Sequence, residues 1–228
     1  MFRQIVFAAA VAGLLGGLLI TAMQYVSVIP LILEAETFET AAAHDHDAGQ
    51  ATTGAAVAEA EAWAPADGLE RGLYTVAANV LMAIGFALVL AAGFALTGHA
   101  GWRTGLYWGM AGFAAFMLAP AIGLPPEVPG AEAAPLVGRQ IWWLGTIAAT
   151  AGGLALIFLT RSWQWIAVGA ALIVLPHLIG APQPEHHGGL APDSLAREFV
   201  VAVLVTGFLF WLALGALSGF FYKRFAAA

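Results

Sequence analysis

Long apolar runs divide this chain, and polar residues gather in the short stretches between them. A helix crosses the hydrocarbon core of a bilayer in about 20 apolar residues. Runs of that length, or close to it, occupy residues 5–29, 73–97, 104–122, 141–159, 163–180 and 199–221. The first holds no charged side chain; the fifth is the shortest and ends at Pro176 and His177. The N-terminal run far exceeds the ~7–15 apolar residues of a signal peptide and has no evident cleavage site at its end, so it predicts an uncleaved anchor.

Composition agrees with a membrane protein. Of 228 residues, 61% are hydrophobic and 10% charged, and the mean hydropathy is +0.85. Soluble domains carry about 25% charged residues to keep their surface solvated, so a soluble globule is excluded. Disorder is excluded over most of the length by the same scarcity of charge. Eight Lys and Arg against fourteen Asp and Glu leave no nucleic-acid surface. Zero cysteines rule out disulfides and thiolate metal sites. The expected architecture is all-α: a single integral membrane domain over residues 1–228, a polytopic helical bundle of six spans, with five as the alternative.

Charge placement favours six. With the N-terminus cytoplasmic, the inner segments carry Arg3, Arg103, Arg161, Lys223 and Arg224 and no acid. The outer segments then carry Arg71, Arg139, Arg197 and all fourteen carboxylates. Five inner cations against three outer ones obey the positive-inside rule only weakly; the complete segregation of acids is the stronger signal, and omitting the fifth span destroys it. Both termini are therefore expected in the cytoplasm, in a bacterial inner membrane. Between the first two spans, residues 30–71 read as a flexible extracytoplasmic loop, acidic and His-bearing, with helix expected only near residues 31–39.

The third and fifth spans end alike, with Pro120, Gly123, Pro125 and Glu127 in one and Pro176, Gly180, Pro182 and Glu185 in the other. Two readings follow: a repeated helical hairpin, or helices that Pro and Gly simply terminate. Gly13 with Gly17, Gly105 with Gly109, and Gly215 with Gly219 form GxxxG pairs that admit close helix packing, within the chain or against a partner. Asn79 and Gln24 lie inside spans, where helix–helix hydrogen bonding is the expected use.

Enzyme chemistry finds no support. The chain has no phosphate-binding GxxxxGK[ST] loop, and its sole lysine is Lys223. No Asp, Glu, Lys or Arg occupies the middle of a span, which argues against a built-in proton relay. Metal-compatible side chains instead collect outside the spans. His44, Asp45, His46 and Asp47 are consecutive, and alternate residues of an extended segment share a face, so His44 and His46 could close on one ion. Glu34 and Glu36, with Glu39, lie just past the first span; Glu185, His186 and His187 form a group beyond His177. Imidazole and carboxylate suit borderline divalent ions such as Co²⁺, Ni²⁺ and Zn²⁺. Each group has a plainer reading: a solvated loop for His44–Asp47 and for His186–His187, a charged helix end for the glutamates, and a packed imidazole for His177.

Several stretches match a known pattern in order. They are residues 30–36 (PLILEAE), 44–47 (HDHD), 62–71 (AWAPADGLER), 123–127 (GLPPE) through Gly130, Arg139-Gln140 with Trp142-Trp143, and 176–182 (PHLIGAP). In these the chain resembles the CbtA family, proposed membrane subunits of a cobalt uptake system. The resemblance implies import of cobalt for cobalamin synthesis alongside a small single-span, His-bearing subunit of the CbtB kind. Family members are often described with five spans, and their outer loop is often richer in histidine.

The resulting expectation is a subunit of a divalent metal uptake system, with Co²⁺ (or Ni²⁺ or Zn²⁺) as the transported ion and no tightly bound cofactor. Expected metal-handling residues are Glu34, Glu36, His44, Asp45, His46, Asp47, His177, Glu185, His186 and His187. Expected partners are the lipid bilayer, the CbtB-like subunit, and a homo-oligomer or larger membrane complex, with no nucleic acid. The alternative is an accessory membrane scaffold without transport activity.

Overall fold

The computed structural model describes the backbone of residues 2–49, 63–185 and 188–226, and every side chain there except those of 42–49. Among these residues the elements run α1 (Phe2–Ser27), α2 (Ile29–Gly49), α3 (Leu69–Thr97), α4 (Trp102–Phe113), a π-helical turn (Ala114–Leu118), α5 (Ala119–Gly123), α6 (Leu136–Leu159), α7 (Trp163–Ile179) and α8 (Asp193–Ala226). No strand appears among them, only one isolated bridge between Ala131 and Gly189. The molecule is a polytopic helical bundle, all α. Phe2–Ser27, Leu69–Thr97, Trp102–Gly123, Leu136–Leu159 and Asp193–Ala226 are each long and apolar enough to cross a membrane.

Glycine decides which helices touch. Gly13 and Gly17 lay α1 directly on the backbone of α3 at Ile84 and Val80. Gly105 and Gly109 meet Gly215 on α8, and Gly101 meets Gly219, so α4 and α8 approach backbone to backbone. The three GxxxG pairs are thus used within the chain. Around these contacts Phe94, Phe210, Trp211 and Leu214 form the buried core, with Phe116 stacked on Trp211 at 5.5 Å and 18°. Asn79, 8% exposed, donates from Nδ2 to Thr21 Oγ1 at 3.0 Å and to Gln24 Oε1 at 2.6 Å. That is the interhelical bonding expected of polar residues within spans.

Helix directions follow from these pairings. Gln4 Nε2 donates to the Tyr222 carbonyl at 2.8 Å, which puts the start of α1 beside the end of α8. α3 runs antiparallel to α1, and α4 antiparallel to α8. α7 returns along α6: Gly153 packs on Gly169, and Trp142 Nε1 donates to the Pro176 carbonyl at 3.2 Å. With 17 residues α7 extends only about 25 Å, short of the ~30 Å hydrocarbon thickness, yet it reaches back to the level of Trp142. The two similarly terminated hairpins do not pack alike. α3 lies chiefly against α1 and α4 against α8, whereas α6 lies against α7.

Two local features depart from the sequence reading. Helix is expected from sequence only near residues 31–39, whereas after a slight break at Val28 the chain stays helical to Gly49. The Gln24 and Val28 carbonyls still accept from Val28 and Ile32, carrying the ladder across the break. Val28 and Ala35, with Leu31, Ile32 and Phe38, bury one side of α2 against Leu195 and Phe199 of α8. Beyond Glu39, alanines at 41–43 and 48 favour helix. The second feature is the π-helical turn at 114–118, where the Ala119 N–H bonds to the Ala114 carbonyl. Pro120 has no N–H to continue the ladder, and the wider turn precedes it directly.

The glycine contacts give a paired test. Gly105→Leu should destabilise the bundle by about 1–3 kcal/mol or more through overpacking, because any added Cβ overlaps the Gly215 carbonyl oxygen. Gly145→Ala has open space around it and should be neutral or stabilise by about 0.5–1 kcal/mol. Thermal unfolding in detergent measures both; equal effects would refute the packing account.

Candidate metal-handling end of the bundle

Every carboxylate whose side chain is described lies at one end of the bundle. The contributing segments are α2, the starts of α3 and α8, and the loops flanking α6 and α7. Arg3, Arg103, Arg161, Lys223 and Arg224 lie at the opposite end, at the starts of α1 and α4, the α6–α7 turn and the end of α8. This polarity is built by the antiparallel helix order.

Ion pairs tie the acidic end together. The Arg71 guanidinium grips Glu36 with two nitrogens, Nη1 at 3.1 Å and Nη2 closer still, and also reaches Asp67 at 3.2 Å. Arg139 Nη1 holds Glu127 at 3.0 Å. These side chains are roughly a third exposed, apart from the open Asp67. Such pairs contribute about 0.2–1 kcal/mol each, so their main effect is orientation: Arg71 fixes α2 over the start of α3. Glu36 is thus already engaged by a cation, while Glu34 stands exposed.

Two loops, 124–135 and 180–192, meet beside this cluster. The Ala131–Gly189 bridge joins them, with Glu132 N–H donating to the Gly188 carbonyl at 3.2 Å and Leu190 N–H to Gly130 at 3.3 Å. Gly130 has φ +76°, a left-handed conformation that admits glycine readily, and Glu39 of α2 packs against it. Between the loops lies a cavity of about 240 Å³ whose lining includes Glu127, Glu132, Asp193 and Gln183.

His177 is not part of the cavity lining and connects to it only through Trp142. It is half-buried, one residue past Pro176 inside α7, with its ring centroid 6.0 Å from that of Trp142 and inclined at 69°. Its Nδ1 is buried and makes no hydrogen bond. Trp142 stands between His177 and Gly123, one of the cavity-lining residues. Glu185 is exposed on the nearby loop.

The remaining candidates fall elsewhere. His186 and His187 lie outside the described residues, as do the side chains of His44, Asp45, His46 and Asp47. The backbone of 44–47 is helical. Among the described residues, no three His, Asp or Glu side chains stand close enough to hold a metal ion together. Glu132 and Asp193 were not singled out from sequence as site residues, and Glu127 only as part of a terminal pattern. Sixty residues and more separate Glu127 and Glu132 from Asp193 in the chain, and only the loop bridge makes them neighbours of one cavity. Arg71 and Arg139 gave the available signal, since each begins a hairpin among the acids.

No curated protein and no solved structure matches this chain. The model of one family, described as "Probable cobalt transporter subunit (CbtA)", matches residues 2–223, nearly the whole length. The chain belongs to the CbtA family.

Proposed function

We propose that the protein is the membrane subunit through which a divalent ion, Co²⁺ foremost, is captured at the acidic end of the bundle and carried to the basic end. The observation that carries this reading is the segregation of charge among the described side chains, with carboxylates at one end and cations in no ion pair at the other. The acidic end faces outward and both termini lie in the cytoplasm, in a bacterial inner membrane. An inside-negative potential then contributes about 2.3 kcal/mol per charge per 100 mV, roughly 4.6 kcal/mol for a divalent ion, and draws it inward without ATP.

Capture begins on α2 and its neighbours. Glu34, the His44–Asp47 segment and the Glu185–His187 segment exchange water for oxygen and nitrogen ligands at the surface. Glu36 becomes a ligand only by leaving Arg71. The 240 Å³ cavity with its carboxylates forms the mouth, and His177 offers an imidazole nitrogen just beyond it. Ni²⁺ and Zn²⁺ compete, because nitrogen and oxygen sites follow the Irving–Williams order. A small His-bearing single-span subunit of the CbtB kind completes the ligand set deeper in the membrane. The scaffold alternative loses its intended docking faces, since the glycine pairs pack within the chain.

Reconstituted vesicles separate the readings. Accumulation of Co²⁺ inside vesicles holding this chain, with or without its companion subunit, supports transport; binding without accumulation indicates buffering, and neither indicates a scaffold. His177→Ala and Glu127→Gln should each slow uptake by about ten-fold or more, the scale on which metal-shell changes act. Collapsing a 100 mV potential should lower the accumulation ratio by roughly three powers of ten. His44→Ala/His46→Ala should lower uptake at limiting metal and spare it at saturation; unchanged rates at limiting metal would remove that segment from the path.

A further inference from the structure

The basic end of the bundle contains an open groove of about 400 Å³, lined by Gly101, Trp102, Phe220, Lys223 and Arg224. The glycine contact between Gly101 and Gly219 joins the start of α4 to the last turns of α8, so cations and aromatics from two helices share one concavity. The Lys223 side chain passes over Gly101, with its Cδ 3.8 Å from the place a Cβ would take. Arg103 lies with its guanidinium carbon 5.1 Å from the Trp102 ring. Arg3 is close by along the chain, one residue from Gln4, which bonds the Tyr222 carbonyl.

Three properties of the groove specify a ligand. Its cations are exposed, and no carboxylate with a described side chain lies at this end to neutralise them. Its aromatic walls are open: Trp102 is 52% and Phe220 50% exposed. It also sits where helices leave the apolar zone; from Arg103 the exposed Tyr107 and Met110 continue along α4 one and two turns deeper. A small soluble anion would satisfy the charges and leave the aromatic walls and the apolar stripe uncovered. A molecule with an anionic head and long apolar tails satisfies all three.

We propose that this groove binds the headgroup phosphate of an anionic membrane phospholipid, with Lys223 and Arg224 contacting the phosphate, Trp102 and Phe220 packing on the glycerol region, and the acyl chains following α4. The site depends on neither metal nor transport.

Native mass spectrometry of the full chain in detergent tests it, with phosphatidylglycerol and phosphatidylcholine of identical acyl chains as probes. The native chain should retain phosphatidylglycerol over phosphatidylcholine. Juxtamembrane cations contribute about 1 kcal/mol each toward anionic lipid, so Lys223→Gln/Arg224→Gln should weaken phosphatidylglycerol roughly thirty-fold, and each single change roughly five-fold. The single variants carry the test if the double one does not stay monodisperse. Arg161→Gln, at the same end on the α6–α7 turn and outside the groove, should leave retention unchanged. Equal retention of the two lipids, an Arg161 effect as large as that of Lys223, or displacement of the lipid by excess inorganic phosphate would each overturn the proposal.

Discussion

Backbone-to-backbone contact between helices, made possible by glycine, is the constraint from which the rest of this structure follows. Helices in lipid gain no hydrophobic advantage by associating, because lipid tails are as apolar as leucine; close van der Waals packing must supply the attraction. Here the closest approaches occur where glycine faces glycine or bare backbone: Gly105 and Gly109 on Gly215, Gly101 on Gly219, Gly153 on Gly169, and Gly13 and Gly17 on α3. Each contact joins antiparallel helices. Antiparallel order, in turn, collects alternate chain segments at the same end, and those segments hold the charges. The acidic end and the basic end are therefore consequences of helix packing, with Arg71–Glu36 and Arg139–Glu127 as local refinements.

The spans were legible because hydropathy and length report burial in hydrocarbon directly. Partner choice was not: Gly13-x-x-x-Gly17 reads identically whether the groove receives α3 or another protein, and only the three-dimensional arrangement distinguishes them. The apolar side of Leu31, Ile32, Ala35 and Phe38 made the start of α2 legible, but past Glu39 the acids and histidines suggested a solvated loop while the alanines interspersed among them favour helix. The likeness of the third and fifth spans reached only their ends; Pro120 and Pro176 terminate helices with different neighbours. For Glu127, Glu132 and Asp193 no pattern was available, since their common cavity depends on one antiparallel bridge between distant loops.

Polar groups inside the bundle are mostly paired with one another. Asn79 is spent on Thr21 and Gln24, and Ser27 shares a hydrogen bond with Thr206 at 3.1 Å. These bonds join α3 and α8 to α1 at a depth where an unpaired amide or hydroxyl would cost several kcal/mol. They leave few free oxygen atoms. Thr150 Oγ1 on α6 is buried without a partner, and so is Ser218 Oγ on α8. Thr150 belongs to the buried face of α6, the helix that packs against the π-helical turn.

This scarcity bears on what one chain can do. A divalent cation leaving water needs replacement ligands at every stage, because desolvating an isolated charge in a low-dielectric medium costs tens of kcal/mol. The driving energy from the membrane potential, roughly 4.6 kcal/mol at 100 mV, cannot offset such a barrier; it can only bias a path whose ligands already exist. Carboxylates line the cavity at the acidic end, yet among the described residues no three His, Asp or Glu side chains stand close enough to hold an ion together, and deeper in α6 only Thr150 Oγ1 is a buried hydroxyl without a partner. Passage of such an ion would need ligands beyond those of the described residues. The family is described as a transporter subunit, and the ligand shortage between the two charged ends is a physical reason why a member would act with another chain.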